Sequence, residues 1–184
     1  ARRPSTRSGS RASWRAASDV TLRFGTDGIR GVANRELTPE LVTALGRAAA
    51  RVLGVGVPFV VGRDTRRSGP LLQAALVAGL CAEGANVDLA GVLPTPGVAL
   101  LAKARNAPAA VISASHNAFE DNGVKLFAPG GRKVTEELER HIEGELRALA
   151  TRASIASGVS GPTNLSAIVP PGLMKYVSGT PKMP

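Results

Sequence analysis

A hydroxyl, an imidazole and an amide stand side by side in Ser115, His116 and Asn117, inside the stretch AVISASHNAFEDNGVKLF of residues 110–127. The preceding Ala110-Val111-Ile112 is apolar and β-branched, the character of a buried strand, and the polar trio comes where that run ends. Two chemistries suit a serine there. In a hydrolase Ser115 would be the nucleophile and His116 its base. Neighbours on an extended chain point in different directions, however, and no G-x-S-x-G elbow surrounds the pair. A serine that carries a phosphoryl group needs instead an exposed loop, nearby cations and a metal to offset charge. Arg30, Arg63, Arg66, Arg67 and Lys125 are the candidate cations. A plain turn also accounts for a lone Ser-His pair.

Two further segments carry unusual chemistry. In FGTDGIRG (residues 24–31) Gly25 and Gly28 let the backbone come close to a ligand, and Arg30 can grip a phosphate with two parallel hydrogen bonds. In GRDTRRSG (residues 62–69) Asp64 and Arg66 read as an ion pair that holds the loop. With LPTPG (residues 93–97), GRDTRRSG and SASHN each follow a short apolar run. Ligands of open α/β sheets gather at such strand ends.

The elements that position these loops are legible from period and caps. Thr38-Pro39-Glu40 starts a helix, with Thr38 as N-cap and Pro39 first inside. Leu41, Val42, Leu45, Ala48, Ala49 and Val52 recur at helical spacing until Gly54. PFVVGRD, NVDLAG, AAVIS and VKLFA read as four strands. LLQAALVAGLCAEG and Thr95 to about Arg105 read as helices between them. A last helix starts at Thr135 and presents Leu138, Ile142, Leu146 and Leu149 on one face. Residues 21–37 read as a Gly-punctuated loop. The alternation implies an α/β fold, a three-layer α/β/α domain with a mostly parallel mixed sheet.

Three segments follow: a basic disordered leader at 1–19, the α/β domain at 20–150, and a linker or unstructured tail at 151–184. The net charge is +9, but residues 1–21 carry five Arg and one Asp, and 151–184 carry three basic residues and no acid. The span 22–150 is close to neutral, and no aromatics interleave with its cations, so a nucleic-acid partner is not expected. No apolar run reaches the roughly 20 residues of a membrane span. A single cysteine excludes an intrachain disulfide framework and suits a reducing cytoplasm.

FGTDGIRG, GRDTRRSG, LPTPG, ISASHN and DNGVKLF occur in this order. Together they resemble the first domain of the α-D-phosphohexomutase superfamily, over about residues 22–150. VANRELTPEL and ISASHN look most like the phosphoglucosamine mutase branch, of actinobacterial type. The resemblance implies that Ser115 is a phosphoserine that passes its phosphoryl to a hexosamine phosphate through a 1,6-bisphosphate. It implies that Arg30 and Lys125 flank the transferring group and that His116 supports the loop. Asn117, Arg66 and Gly28 are expected at the substrate phosphate. Mg²⁺ would meet Ser115 through its phosphate. The other metal ligands and the sugar-reading loop lie in later domains of that family, and their motifs do not occur here. The chain is thus expected to be a cytoplasmic isomerase fragment, inactive alone, whose partners are the missing domains. Ala118 departs from the family's usual proline and is expected to loosen the loop. The rival readings are a phosphomannomutase or phosphoglucomutase fragment, and a non-enzymatic α/β module whose basic tails bind a polyanion.

Overall fold

The structure is a computed structural model that describes residues 24–25 and 28–157. The leader at 1–19 and the tail from residue 158 lie outside the described residues. In chain order the elements are β1 (Ile29–Val32), α1 (Pro39–Leu53), β2 (Phe59–Arg63), α2 (Gly69–Ala82), β3 (Val87–Val92), α3 (Thr95–Arg105), β4 (Ala109–Ile112), β5 (Asp121–Ala128), β6 (Arg132–Lys133) and α4 (Glu136–Ser157). The strands form one sheet in the order β1-β5-β4-β2-β3, with β6 beside β5.

The sheet is mixed, as expected, but its parallel part is small. Only β3, β2 and β4 run parallel; β1, β5 and β6 join antiparallel. The reason is the β4–β5 connection. Residues 113–120 are too few for the dozen or more that a parallel crossover needs, so β5 turns back on β4. This tight return carries Ser115.

Two apolar layers flank the sheet. On one face Phe59, Val61, Ile112, Val124 and Leu126 meet α1, α2 and α4 through Leu45, Leu76, Leu80 and Ile142. On the other, Val60, Val111 and Phe127 meet α3 through Val98 and Ala102. These are the three layers the sequence implied. α1 begins as read: Thr38 Oγ1 accepts the Leu41 amide at 3.3 Å, and Pro39 sits in the first turn.

Two elements were not expected. β1 lies inside the segment read as loop, and β6 is a two-residue strand. In addition, α4 continues to Ser157, past the boundary at residue 150. Arg, Ala, Ser and Ile there tolerate a helix, and the first glycine comes only at Gly158.

Candidate functional site

β2 and β4 end on the same edge of the sheet, because they are parallel neighbours, and β5 begins there. Buried β4 leads into Ser113, whose amide still bonds Gly123 O at 2.9 Å. The chain then leaves the sheet. Ser115 is exposed, with φ at +58°, in the left-handed region. That conformation costs a non-glycine residue about 1–2 kcal/mol and persists only where surroundings enforce it. Two side chains do so. The Ser115 amide donates to Ser113 Oγ at 3.0 Å, and the Ser115 carbonyl accepts from Arg66 Nη2 at 3.0 Å. Among the described residues the Ser115 hydroxyl has no hydrogen-bond partner. The backbone is held at both ends while the hydroxyl stays available.

Arg66 is the centre of this loop. Nε donates to Asp64 Oδ2 at 3.2 Å, and Nη2 donates to the carbonyls of Ser115 and Asn117. Nη1 donates to the carbonyls of Ala118 and Asp121 at 2.5 and 3.0 Å. A guanidinium has five N–H donors, and all five are engaged. Arg66, expected at the substrate phosphate, spends these donors on Asp64 and the loop carbonyls in this structure. The expected Asp64–Arg66 pair is present, and Asp64 Oδ1 also accepts the Arg66 amide at 3.0 Å. The loosening expected from Ala118 is countered by Arg66, which holds the Ala118 carbonyl.

Asn117 was also expected at a phosphate. In this structure its side-chain amide is engaged at both ends. Oδ1 accepts from Arg30 Nη1 at 3.0 Å, and Nδ2 donates to Asp121 Oδ2 at 2.9 Å. A carboxylate only accepts, so Asp121 fixes which end of the amide meets Arg30. Asn117 thus orients Arg30. Arg30 lies opposite Gly123 on β1, and Lys125, two residues further along β5, lies opposite Val111. Cross-strand partners share a face and alternate residues repeat it, so Arg30 and Lys125 both stand on the α3 side.

Gly28 is buried, with φ at +91°. A side chain there would collide with the Val124 carbonyl and touch Lys125 Cα. The close approach that this glycine permits is to β5. His116 is exposed, and no hydrogen bond joins it to Ser115. The hydrolase arrangement is not formed. Arg63 turns to the α2 side, where Nε bonds Gln73 Oε1 at 3.2 Å.

Three contributors escaped sequence reasoning. Ser113 supplies the oxygen that holds the Ser115 amide, and Asp121 orders Asn117. Asn122 is fully buried; its Oδ1 accepts the Gly123 amide and its Nδ2 donates to Ser68 Oγ, both at 2.8 Å. Ser68 therefore anchors β5 and does not cap α2 with its side chain. The Asp-Asn-Gly run that opens β5 was the available signal.

The resemblance also implies Mg²⁺. Among the described residues no three His, Cys, Asp or Glu side chains group to hold a cation. Asp64 and Asp121 are engaged by Arg66 and Asn117. The described residues do not by themselves group into a metal site.

A left-handed serine thus stands on a clamped loop at a strand end of an α/β/α domain, and the same loop carries the Asn117 that bonds Arg30. Residues 21–153 match the family described as phosphoglucomutase/phosphomannomutase, alpha/beta/alpha domain I, and the chain belongs to that family. The phosphoglucosamine mutase of Desulforamulus reducens is 57% identical over 124 residues, covering 65% of this chain and 28% of that protein. The phosphoglucosamine mutase of Mycobacterium leprae is 57% identical over 126 residues, covering 65% of this chain and 27% of that protein. A solved phosphoglucomutase/phosphomannomutase family protein from Burkholderia thailandensis superposes with a TM-score of 0.62 at 30% identity, over 68% of this chain and 30% of that one. The chain spans less than a third of the length of these relatives.

Proposed function

We propose that this chain is the phosphoacceptor domain of a phosphoglucosamine mutase, with Ser115 as the residue that carries the phosphoryl group. The observation that supports this most is the presentation of Ser115: both backbone groups are held by side chains, and among the described residues the hydroxyl has no hydrogen-bond partner. The names of the relatives at 57% identity support the sugar assignment over the phosphomannomutase reading.

In the forward turn the Ser115 Oγ–P bond breaks and a bond forms from phosphorus to a free hydroxyl of glucosamine 6-phosphate. The hydroxyl proton leaves as the new ester forms. The resulting 1,6-bisphosphate turns around, and its other phosphoryl returns to Ser115 Oγ. Glucosamine 1-phosphate is released with the proton taken up by its leaving oxygen. Arg30, oriented by Asn117, and Lys125 supply positive charge near the transferring group, where developing negative charge needs it. Mg²⁺ offsets phosphate charge in this chemistry, and its protein ligands are assigned to domains outside this chain. The partners are the sugar phosphate, its bisphosphate and those domains. The compartment is the cytoplasm, and neither nucleic acid nor membrane takes part. Among the described residues no helix is long and apolar enough to cross a membrane.

The test is complementation. The chain is mixed with the separately expressed remainder of the Desulforamulus reducens relative, with Mg²⁺ and a trace of glucose 1,6-bisphosphate. Conversion of glucosamine 6-phosphate to glucosamine 1-phosphate by the mixture, and by neither part alone, supports the reading. A mixture that isomerises mannose phosphates and leaves glucosamine phosphates untouched contradicts it.

A further inference from the structure

We infer that Arg66 is a positioning residue for phosphoryl transfer: it locks the backbone of residues 115–121 so that the Ser115 hydroxyl faces the incoming phosphorus. The inference rests on the reading of Ser115 as phosphoacceptor and adds a residue to it.

The geometry leaves Arg66 little else to do. One planar group bridges four carbonyls, those of Ser115, Asn117, Ala118 and Asp121. Its side chain is only 13% exposed. Asp64 fixes Arg66 in turn, with one carboxylate oxygen on the Arg66 amide and the other on Nε. Asp64 itself is tied to the sheet, because its amide donates to Ile112 O at 3.0 Å. The position of the Ser115 carbonyl is thus set by a path of hydrogen bonds that starts on a buried strand. A left-handed serine has a more comfortable extended alternative, so the clamp decides whether the hydroxyl is presented.

Lysine separates this role from a charge role. It keeps the positive charge but offers one nitrogen with three donors in place of a rigid fork, so it cannot span four carbonyls. If Arg66 acted by attracting a phosphate, Arg66→Lys would keep much of the activity and raise KM. If Arg66 positions Ser115, the variant loses turnover with KM unchanged.

The experiment measures Ser115 phosphorylation from glucose 1,6-bisphosphate by the chain mixed with the remainder of the relative, for wild type, Arg66→Lys and Asp64→Asn. Backbone hydrogen exchange of each chain is read in parallel. Arg66→Lys should lower the maximal rate on the order of 100-fold, as a displacement of about 1 Å does, without moving KM for the bisphosphate. Exchange should rise in residues 113–121 and stay as in wild type in α1 and α2. Asp64→Asn keeps the guanidinium but loses one of its tethers, and should show the same pattern to a smaller degree. It decides the matter if Arg66→Lys fails to fold. A fall that lies in KM, or an unchanged rate with unchanged loop exchange, overturns the inference. Wild type that takes up no phosphate overturns the phosphoacceptor reading instead, and the exchange data then judge the clamp by itself.

Discussion

The Arg30 side chain lies across Gly123, its partner on β5: a β-carbon built on Gly123 stands 3.0 Å from Arg30 Cγ and 2.9 Å from the carbonyl oxygens of Ile29 and Ser113. Two of these neighbours are backbone on flanking segments, so neither can simply rotate away. The first prediction concerns this contact. Gly123→Ala should destabilise the chain by about 1–3 kcal/mol, the usual cost of overfilling a packed site. It should also slow Ser115 phosphorylation by more than the unfolded fraction explains, because Arg30 is displaced. A urea midpoint and a phosphorylation rate on the same preparation check both parts.

The Asp121–Asn117–Arg30 chain gives a second prediction. Asn117→Ala removes the acceptor that holds Arg30 Nη1. A hydrogen bond to a charged group contributes about 1.5–3 kcal/mol, which corresponds to a rate loss on the order of 10–100-fold if the bond is kept in the transition state. Single-turnover rates of phosphate uptake by the complemented chain measure this. Asp121→Asn, which lets the Asn117 amide take either orientation, should fall between wild type and Asn117→Ala.

A third prediction tests the scaffold away from the site. α1 and α2 cross with their backbones in contact: a side chain on Gly79 would collide with the Thr43 carbonyl, and one on Gly46 with the Leu76 carbonyl. Gly79→Ala must part the two helices. It should lower stability despite alanine's better helix propensity, by about 1–3 kcal/mol. A rise in the denaturation midpoint would contradict the packing described.

The fourth prediction is a pH dependence. Glu83 accepts from Arg51 Nε and Nη2, both at 2.9 Å, and from Arg47 Nε at 2.6 Å; Arg51 also reaches Glu145 at 2.9 Å. These bonds join α1 to the end of α2 and to α4. The hydrogen bonds from Arg51, first, and those from Arg47 hold the Glu83 carboxyl below the ordinary glutamate range, against the opposing pull of partial burial. A lowered carboxyl pKa means that the unfolded chain binds the proton more readily. The stability it contributes is therefore full above the ordinary glutamate value of about 4.3 and is lost as pH falls through the lowered one. Thermal midpoints should drop through that acid window in wild type and less steeply in Glu83→Gln.

The sequence disclosed the local features and hid the long-range ones. The start of α1 was legible because Thr38, Pro39 and Glu40 act within one turn. The buried strands were legible because Phe59–Val61 and Ala109–Ile112 are continuous apolar runs. β1 was not, since Ile-Arg-Gly-Val has little strand character and exists by pairing with β5. Ser115, Arg30 and Lys125 stood out by residue type. Arg66 and Asn117 were also picked out, but their partners were not legible, because the carbonyls, carboxylates and guanidinium they bond are brought together only by the fold. Ser113 went unread as a contributor for the same reason: an ordinary serine gains its role only when the chain two residues on turns left-handed.

Phosphopeptide mapping of this chain, after incubation with glucose 1,6-bisphosphate and Mg²⁺ in the presence and absence of the relative's remainder, tests the central claim most directly. The account predicts one phosphate, on Ser115, when the remainder is present, and none in Ser115→Ala. Phosphate on another residue, or none on Ser115 in a mixture shown to associate, would contradict it.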